Sequence, residues 1–268
     1  MRDASRGGDP PTPPRSVVWD VLRDVVSARV AETGRQALDI VDVGGGTGGL
    51  AVPFAALGHN VTVVDPSPDA LAAAERRAAE VSAQLAVVQG EAASVDSLVG
   101  LAVADLVICH NVLEYVDSPA DAMAAIGRVL RPAATVSVLA SNAVAAVLSQ
   151  ALAGRFVQAR RLLPAAEISG TGTPGTGTPD TGIPDTEASG AETAGLPRRF
   201  TLPELMTLME VAGLRVGEAH GLRIFSGLVP GALTDGDAAE GLRSLEAAAA
   251  SYPPLRDIAA QLHVLGHR

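Results

Sequence analysis

A glycine-rich turn and two acidic residues are the part of this 268-residue sequence whose types and spacing say most about chemistry. Gly44, Gly46 and Gly48 follow an apolar run, and Asp42 lies two residues before the first of them. Glycines at such a turn let a ligand lie against the backbone, because a Cβ atom would fill the same space. Asp65 ends the next apolar run, where a carboxylate can bind both hydroxyls of a ribose. The pattern therefore predicts a site for a ligand that contains a nucleoside.

Two ligands compete for this turn, and Asp42 distinguishes them. A dinucleotide places its pyrophosphate at the start of the following helix, where an acid ahead of the glycines would repel it. A carboxylate at that point suits a ligand with an ammonium group, such as the methionine half of S-adenosylmethionine. The sequence therefore favours S-adenosylmethionine over NAD, with Asp42 facing the ammonium group. A tight turn without a ligand is the remaining alternative.

The ends of two further apolar runs carry candidate site residues. Glu91, next to Ala92, can accept a hydrogen bond from an adenine amine, although it can equally be a solvated loop residue. His110 ends the following run and is a candidate general base, or a residue whose backbone and ring edge line the cofactor pocket. Because ligands of open α/β sheets bind outside the carboxyl ends of the strands, we expect these residues to share one site with the glycine turn.

The elements that must position these residues follow from the alternation of apolar runs and amphipathic stretches. The apolar runs cover 37–43, 60–65, 85–89, 104–110 and 135–140, and the stretches between them include 50–57, 68–82 and 120–130. Strands that alternate with helices predict a parallel sheet covered on both faces, and 202–265 adds two helices and two strands. We therefore expect an α/β fold, doubly wound and Rossmann-like, with a mostly parallel sheet of seven strands.

Composition shifts divide the chain into four parts. Residues 1–14 are polar and proline-rich, which predicts a disordered leader, and 15–166 form the predicted cofactor-binding core. Residues 167–196 are a low-complexity insert of Gly, Thr, Pro and Asp. Residues 197–268 are expected to complete the sheet and to form the substrate side.

Composition also excludes several function classes. The sequence has no Lys, so lysine Schiff bases and P-loops are excluded, and its single Cys excludes a disulfide framework and a cysteine zinc site. We expect no metal, no membrane span and a cytoplasmic location. The net charge of −10 argues against general nucleic-acid binding. Five arginines flanking the insert nevertheless form a local basic cluster: Arg155, Arg160, Arg161, Arg198 and Arg199.

Several motifs together resemble the class I S-adenosylmethionine-dependent methyltransferases. They are DVGGGTG, VVDPS, GEA, ADLVICHNVLEYV and VLRPAATVSVL, within 37–140. The resemblance implies the fold, the cofactor and contacts to it from these motifs, including Pro66 of VVDPS.

A narrower resemblance extends to the C-terminal part of the chain. HNVLEYVDSP, SNAVAAVLSQALAGRF, GLRIF and SLEAAAASYPPLRDIAAQLHVLGHR are similar to the bacterial tRNA 5-carboxymethoxyuridine methyltransferase family, which implies esterification of a wobble-uridine carboxylate. The sequence departs from that family in two places. Ala133 and Ala134 replace the usual Gly-Gly, which predicts mild strain in a turn, and the acidic insert replaces a strongly basic loop.

A carboxylate acceptor is already ionised and needs a cation rather than a base. Arg223 of GLRIF is the catalytic candidate for that cation, with an exposed strand residue as the alternative. Tyr115 and Asn142 either line the substrate side or hydrogen-bond the scaffold. The expected substrate is tRNA or a small carboxylate or hydroxyl compound. The alternative functions are a small-molecule O- or N-methyltransferase of secondary metabolism and a cofactor-binding protein without catalysis.

Overall fold

A computed structural model describes residues 16–163, 197–229 and 237–268. The predicted leader at 1–14 and the predicted insert at 167–196 lie outside these residues. The described part contains ten α-helices: α1 Val17–Thr33, α2 Ala51–Ala56, α3 Pro68–Glu80, α4 Val95–Val99, α5 Pro119–Val129, α6 Ala143–Leu152, α7 Phe156–Arg161, α8 Leu202–Val211, α9 Asp237–Ala249 and α10 Pro253–Arg256.

Its seven strands form one sheet: β1 Asp39–Val43, β2 Asn60–Asp65, β3 Ala86–Gln89, β4 Ala104–His110, β5 Leu130–Ser141, β6 Arg215–Leu222 and β7 Gln261–His267. Their order is β3-β2-β1-β4-β5-β7-β6. β7 runs antiparallel to both β5 and β6, whereas the pairs from β3 to β5 are parallel. The predicted fold class is therefore confirmed. Strand order reverses between β1 and β4, where sheets of this type bind ligands.

Each face of the sheet packs against its own set of helices, because successive side chains of a strand point to opposite faces. One face packs against α4, α5 and α8, with Ile126 and Met209 fully buried. The opposite face packs against α1, α2 and α3, with Leu22 and Phe54 fully buried. Both cores are apolar, so the sheet is held rigidly and the ends of its strands are fixed relative to one another.

An ionic network lies at the amino-terminal ends of the strands, on the side of the sheet opposite the predicted site. The buried Asp105 carboxylate accepts hydrogen bonds from Arg35 at 2.6 Å and from Arg131 at 2.7 Å. The same two guanidiniums bind Asp39 at 2.7 and 2.8 Å. Arg29 reaches Asp105 at 3.4 Å from α1. The network joins helix α1 to strands β1, β4 and β5 and has no contact with the candidate site.

The predicted strain at the Ala133 position has a structural counterpart. Ala133 has a φ of +61°, in the left-handed region that glycine adopts without cost. Its N–H donates to Arg268 O at 3.1 Å, which fixes the conformation within β5. Alanine at this position therefore carries backbone strain that the usual glycine would not.

Candidate active site

A cleft of about 310 Å³ opens at the carboxyl ends of β1 to β4. Its lining comes from the ends of all four strands and from the segment after β4: Gly44, Asp65, Pro66, Gly90, Glu91, Ala92, Asn111, Val112, Tyr115, Val116 and Asp117. The structure thus brings together five of the predicted cofactor residues: Gly44, Asp65, Pro66, Glu91 and Ala92. The other five predicted site residues do not line the cleft: Asp42, Gly46, Gly48, His110 and Arg223.

The glycine turn between β1 and α2 needs its glycines for two reasons. Gly44, Gly46 and Gly48 have φ values of +66°, +55° and +77°, which side chains rarely permit. A Cβ on Gly44 would also overlap the side chain of Val112, which lines the cleft. At Gly44 the turn therefore presents bare backbone to the cleft.

Asp65 supports this turn and also faces the cleft. One carboxylate oxygen accepts the Gly46 N–H and the other accepts the Ser67 N–H, both at 2.9 Å. Each carboxylate oxygen has more than one acceptor direction, so both retain capacity for a ligand hydroxyl. Asp65 can therefore bind a ribose diol while it holds the backbone of the turn in place.

Asp42 lies behind the turn and not at the cleft wall, where the sequence places it opposite a ligand ammonium group. Asp42 pairs with Ile108 in register, so its side chain leaves the sheet on the α1 and α2 face and is only 4% exposed. A Cβ on Gly45 would lie 2.7 Å from the Asp42 carboxylate, which places that carboxylate directly beneath the turn. Burial, and then the charge of Asp65, raises the pKa of Asp42 to about 7, although a hydrogen bond with the Ala51 backbone opposes the rise.

Glu91 and Ala92 follow β3 on the far side of the cleft. Glu91 is exposed and lines the cleft, whereas Ala92 is buried in the adjoining core. The Gly90 N–H donates to Asp65 O at 3.2 Å, which ties the two strand ends together. A carboxylate is thus available next to the Asp65 subsite.

His110 belongs to a buried polar row, and neither role that the sequence suggests for its ring is supported by its position. His110 Nε2 lies 2.7 Å from Ser137 Oγ, and His263 Nε2 lies 2.8 Å from the same hydroxyl. Burial lowers the pKa of His110 to about 3. An imidazole of that pKa is a weak base, and this ring is absent from the cleft lining.

Arg223 lies after β6, three strands beyond β4 in the sheet order. At about 4.8 Å per strand, the two strand ends are separated by roughly 14 Å. Arg223 is exposed, and its φ is +56°. The Glu246 carboxylate fixes the following turn by accepting backbone N–H groups of residues 224–226 at 2.8 to 2.9 Å. The turn after the predicted catalytic arginine is therefore fixed, but Arg223 itself lies outside the cleft.

Tyr115 and Asn142, which the sequence places either on the substrate side or in the scaffold, occupy different positions. Tyr115 lines the cleft with 72% of its surface exposed, so its ring is available to a ligand. Asn142 is buried and caps α6 by accepting the Val144 N–H at 2.9 Å. Its amide also donates to Asp257 O and Ala259 O at 2.9 and 2.8 Å. Asn142 is thus a scaffold residue.

Two groups at the cleft were not foreseen in these roles. Asn111 lines it directly after β4, with a φ of +54°. Arg198 lies at its rim, because its guanidinium donates to Val116 O at 3.2 Å and its backbone N–H donates to Glu114 O at 3.1 Å. The only sequence signal for Asn111 is its place at a strand end, and for Arg198 its membership in the basic cluster.

The described residues hold neither a metal-binding cluster nor a membrane-spanning helix. No group of three or more His, Cys, Asp or Glu side chains there has an arrangement that could hold a metal ion. None of the helices within 16–163, 197–229 and 237–268 combines the length and the apolar character needed to cross a bilayer.

Residues 41–138 match a protein family described as "Methyltransferase domain". The chain is 32% identical over 144 residues to the tRNA 5-carboxymethoxyuridine methyltransferase of Escherichia coli K12, covering 53% of each chain. It is 34% identical over 158 residues to a ubiquinone biosynthesis O-methyltransferase of Xanthomonas campestris, covering 58% of this chain and 63% of the relative. The chain thus spans between half and two thirds of the length of these curated relatives.

The solved structure of an S-adenosylmethionine-dependent methyltransferase from Mesorhizobium loti superposes with a TM-score of 0.54. The match covers 95% of this chain and 99% of the other, at 17% identity. At that identity the likeness concerns the fold alone. The domain match at 41–138 and this fold both agree with the resemblance to class I methyltransferases that the motifs indicate.

Proposed function

We propose that this chain, a class I methyltransferase by its fold and its domain at 41–138, transfers a methyl group from S-adenosylmethionine to an acceptor that is already ionised. The arrangement of Gly44 and Asp65 carries the first part of the proposal. The turn leaves room beside its backbone, and both Asp65 oxygens keep acceptor capacity while they hold the turn. Glu91 on the next strand end is available to an adenine amine.

The residues of the cleft would act mainly by holding two molecules in line. S-adenosylmethionine supplies a methyl group on a sulfonium, and in-line displacement requires a nucleophile on the opposite side. Asp65, Glu91 and the glycine turn would fix the donor. The apolar Val112 and Val116 would keep water away from the reacting atoms, and Tyr115 offers a flat surface to the acceptor.

The choice of an ionised acceptor rests on the basic groups of the cleft. Among the described residues that line it, there is no histidine, and the nearby His110 is a weak base bound to Ser137. A phenol or an alcohol needs a proton removed, whereas a carboxylate does not. Arg198 at the rim can attract such an anion, a role that the sequence assigned to Arg223.

We infer further that tRNA is the molecule that carries the carboxylate. The E. coli relative is named for a carboxymethoxyuridine in tRNA, and Arg198 and Arg199 are exposed beside the cleft. The alternative is a small-molecule O-methyltransferase. The ubiquinone biosynthesis relative and the acidic side chains of the cleft, including Asp117, favour that alternative.

The test measures methyl transfer from radiolabelled S-adenosylmethionine to bulk bacterial tRNA whose methyl esters have been removed with mild alkali. We expect label in the tRNA that a second alkali treatment releases. Small carboxylic acids and phenols form separate arms, and label in these alone would establish the alternative. No binding of S-adenosylhomocysteine by calorimetry would contradict the cofactor as well.

Replacing Arg198 and Arg199 by Gln tests the tRNA surface. Each phosphate contact that is lost reduces the slope of log K for tRNA binding against log salt concentration by about one. We therefore expect the double variant to reduce this slope by about two. The matched control replaces Arg23 and Arg76, which are also exposed but lie on α1 and α3. Equal effects of both double variants would indicate general charge attraction.

A further inference from the structure

Asn111 is a polar group of the cleft whose geometry is set by a distant strand. Its N–H donates to Leu139 O at 2.8 Å, which anchors the backbone between β4 and β5. Its side-chain Oδ1 accepts a hydrogen bond of 2.7 Å from Gln261 Nε2, at the start of β7. The φ of +54° is a conformation that Asn tolerates better than most residues. The side chain is thus held in one orientation at the cleft wall.

The Gln261 contact determines which end of the amide remains available. Because Oδ1 already accepts from Gln261, the two N–H groups of Nδ2 point away from that contact. No acceptor for Nδ2 is found within the part of the chain that the structure describes. Asn111 therefore offers hydrogen-bond donors, rather than an acceptor, to the cleft that it lines.

The position of Asn111 along the cleft indicates what those donors meet. The cleft is lined at the ends of β3, β2, β1 and β4 by Glu91, Asp65, Gly44 and Asn111, and these four strands are consecutive neighbours in the sheet. S-adenosylmethionine has four parts in a linear order: adenine, ribose, sulfonium and an amino-acid end. When the first two parts lie at Glu91 and Asp65, the amino-acid end extends toward β4.

The amino-acid end carries a carboxylate, which needs donors, and an ammonium group, which needs acceptors. Asp42, the residue that the sequence assigns to the ammonium group, lies beneath the turn and does not line the cleft. Asn111 is the polar side chain that lines the cleft at the end of β4. A neutral amide that presents N–H groups is complementary to a carboxylate.

We propose that Asn111 Nδ2 binds the carboxylate of the cofactor's amino-acid end, and that Gln261 is a positioning residue that keeps the amide in this orientation. The proposal rests on the proposed function, because it requires S-adenosylmethionine in the cleft. It assigns to this chain a cofactor contact by Asn111 that depends on Gln261, a residue 150 positions away in the sequence.

Calorimetry with two ligands tests the contact without any acceptor. S-adenosylhomocysteine carries the amino-acid end, whereas 5′-methylthioadenosine has the same nucleoside thioether and lacks it. For Asn111→Gly, which suits the positive φ, we expect S-adenosylhomocysteine to bind roughly 10- to 100-fold more weakly, as for a lost hydrogen bond to a charged group. Binding of 5′-methylthioadenosine should stay unchanged.

Two further variants separate binding from positioning. Asn111→Asp places a negative charge beside the carboxylate, so it should weaken S-adenosylhomocysteine more than Asn111→Gly does. Gln261→Met removes the donor that orients the amide and should cause a smaller loss, again only for S-adenosylhomocysteine. Gln84→Glu adds the same charge on an exposed loop at the amino edge of the sheet and should change neither affinity.

Three results would overturn the proposal. Equal losses for both ligands would mean that Asn111 only shapes the cleft. Unchanged affinities would mean that it does not contact the cofactor. Tighter binding by Asn111→Asp would mean that the ammonium group lies there instead. If the wild-type chain binds neither ligand, the proposed function fails first, and that result is visible before any variant is compared.

Discussion

Asp65→Ala tests the structural basis of cofactor binding most directly. The carboxylate holds two backbone N–H groups at 2.9 Å and has acceptor capacity for two ribose hydroxyls. Hydrogen bonds to a charged group contribute about 1.5 to 3 kcal/mol, and the ribose bonds are lost only in the bound state. Loss of the support for Gly46 adds the entropy of a looser turn. We expect a total cost of at least about 3 kcal/mol, so binding of S-adenosylhomocysteine should be weaker by roughly 150-fold or more.

The assay is titration calorimetry at constant pH and salt, with melting curves to confirm that the variant folds. Asp69→Ala is the matched control, since it removes the same charge from an exposed position in the first turn of α3. It should leave the affinity within about twofold, as expected for a surface substitution. A folded Asp65→Ala variant that binds S-adenosylhomocysteine as tightly as the wild type would refute the assignment of Asp65 to the ribose.

Three further predictions concern stability. The pKa of Asp42 is raised to about 7 in the folded chain, whereas an Asp in the unfolded chain ionises at about pH 4, so the free energy of unfolding falls as pH rises from about 4 to 7. Asp42→Asn removes this loss. It should therefore raise the melting temperature at pH 8 and leave it unchanged at pH 4. Asp105→Asn should cost about 2 kcal/mol in urea unfolding, because it removes a buried carboxylate that binds Arg29, Arg35 and Arg131, whose partly exposed guanidiniums keep some hydration. Asp96→Asn at an exposed pair should cost less than about 1 kcal/mol. Ala133→Gly should stabilise by about 1 kcal/mol in the same assay, and equal stability of the variant would argue against strain at this residue.

Most of the fold was predictable because each strand of a parallel sheet that is covered on both faces forms a continuous apolar run in the sequence. The run at 60–65 is β2 in full, and Ser16 caps α1 as its position before Val17 suggests. Helices α6 and α7 were not predicted. The sequence of α6, AVAAVLSQAL, is apolar on most sides, and α6 has no buried residue, so its pattern lacks the contrast that marks a helix face.

The site was predictable only where chemistry depends on the backbone. The glycine turn and Asp65 follow from chain geometry, and both lie at the cleft. The orientation of Asp42 and of the His110 ring depends on which face of the strand each residue occupies, and the spacing of motifs does not give that. Asn111 acquires its orientation from Gln261, a contact that exists only once β7 has entered the sheet.

The entry of β7 between β5 and β6 also fixes an order of events during synthesis. Among the described strands, β6 pairs only with β7, although β6 is translated before it. Until the ribosome has released 261–267, β5 and β6 each expose an unpaired edge, and the nascent chain is open to mispairing with other chains. The β5, β7 and β6 side of the sheet is therefore completed last. A stall or truncation before β7 would yield a chain that carries its glycine turn and Asp65 but lacks Gln261 and the strand that joins β6 to the sheet.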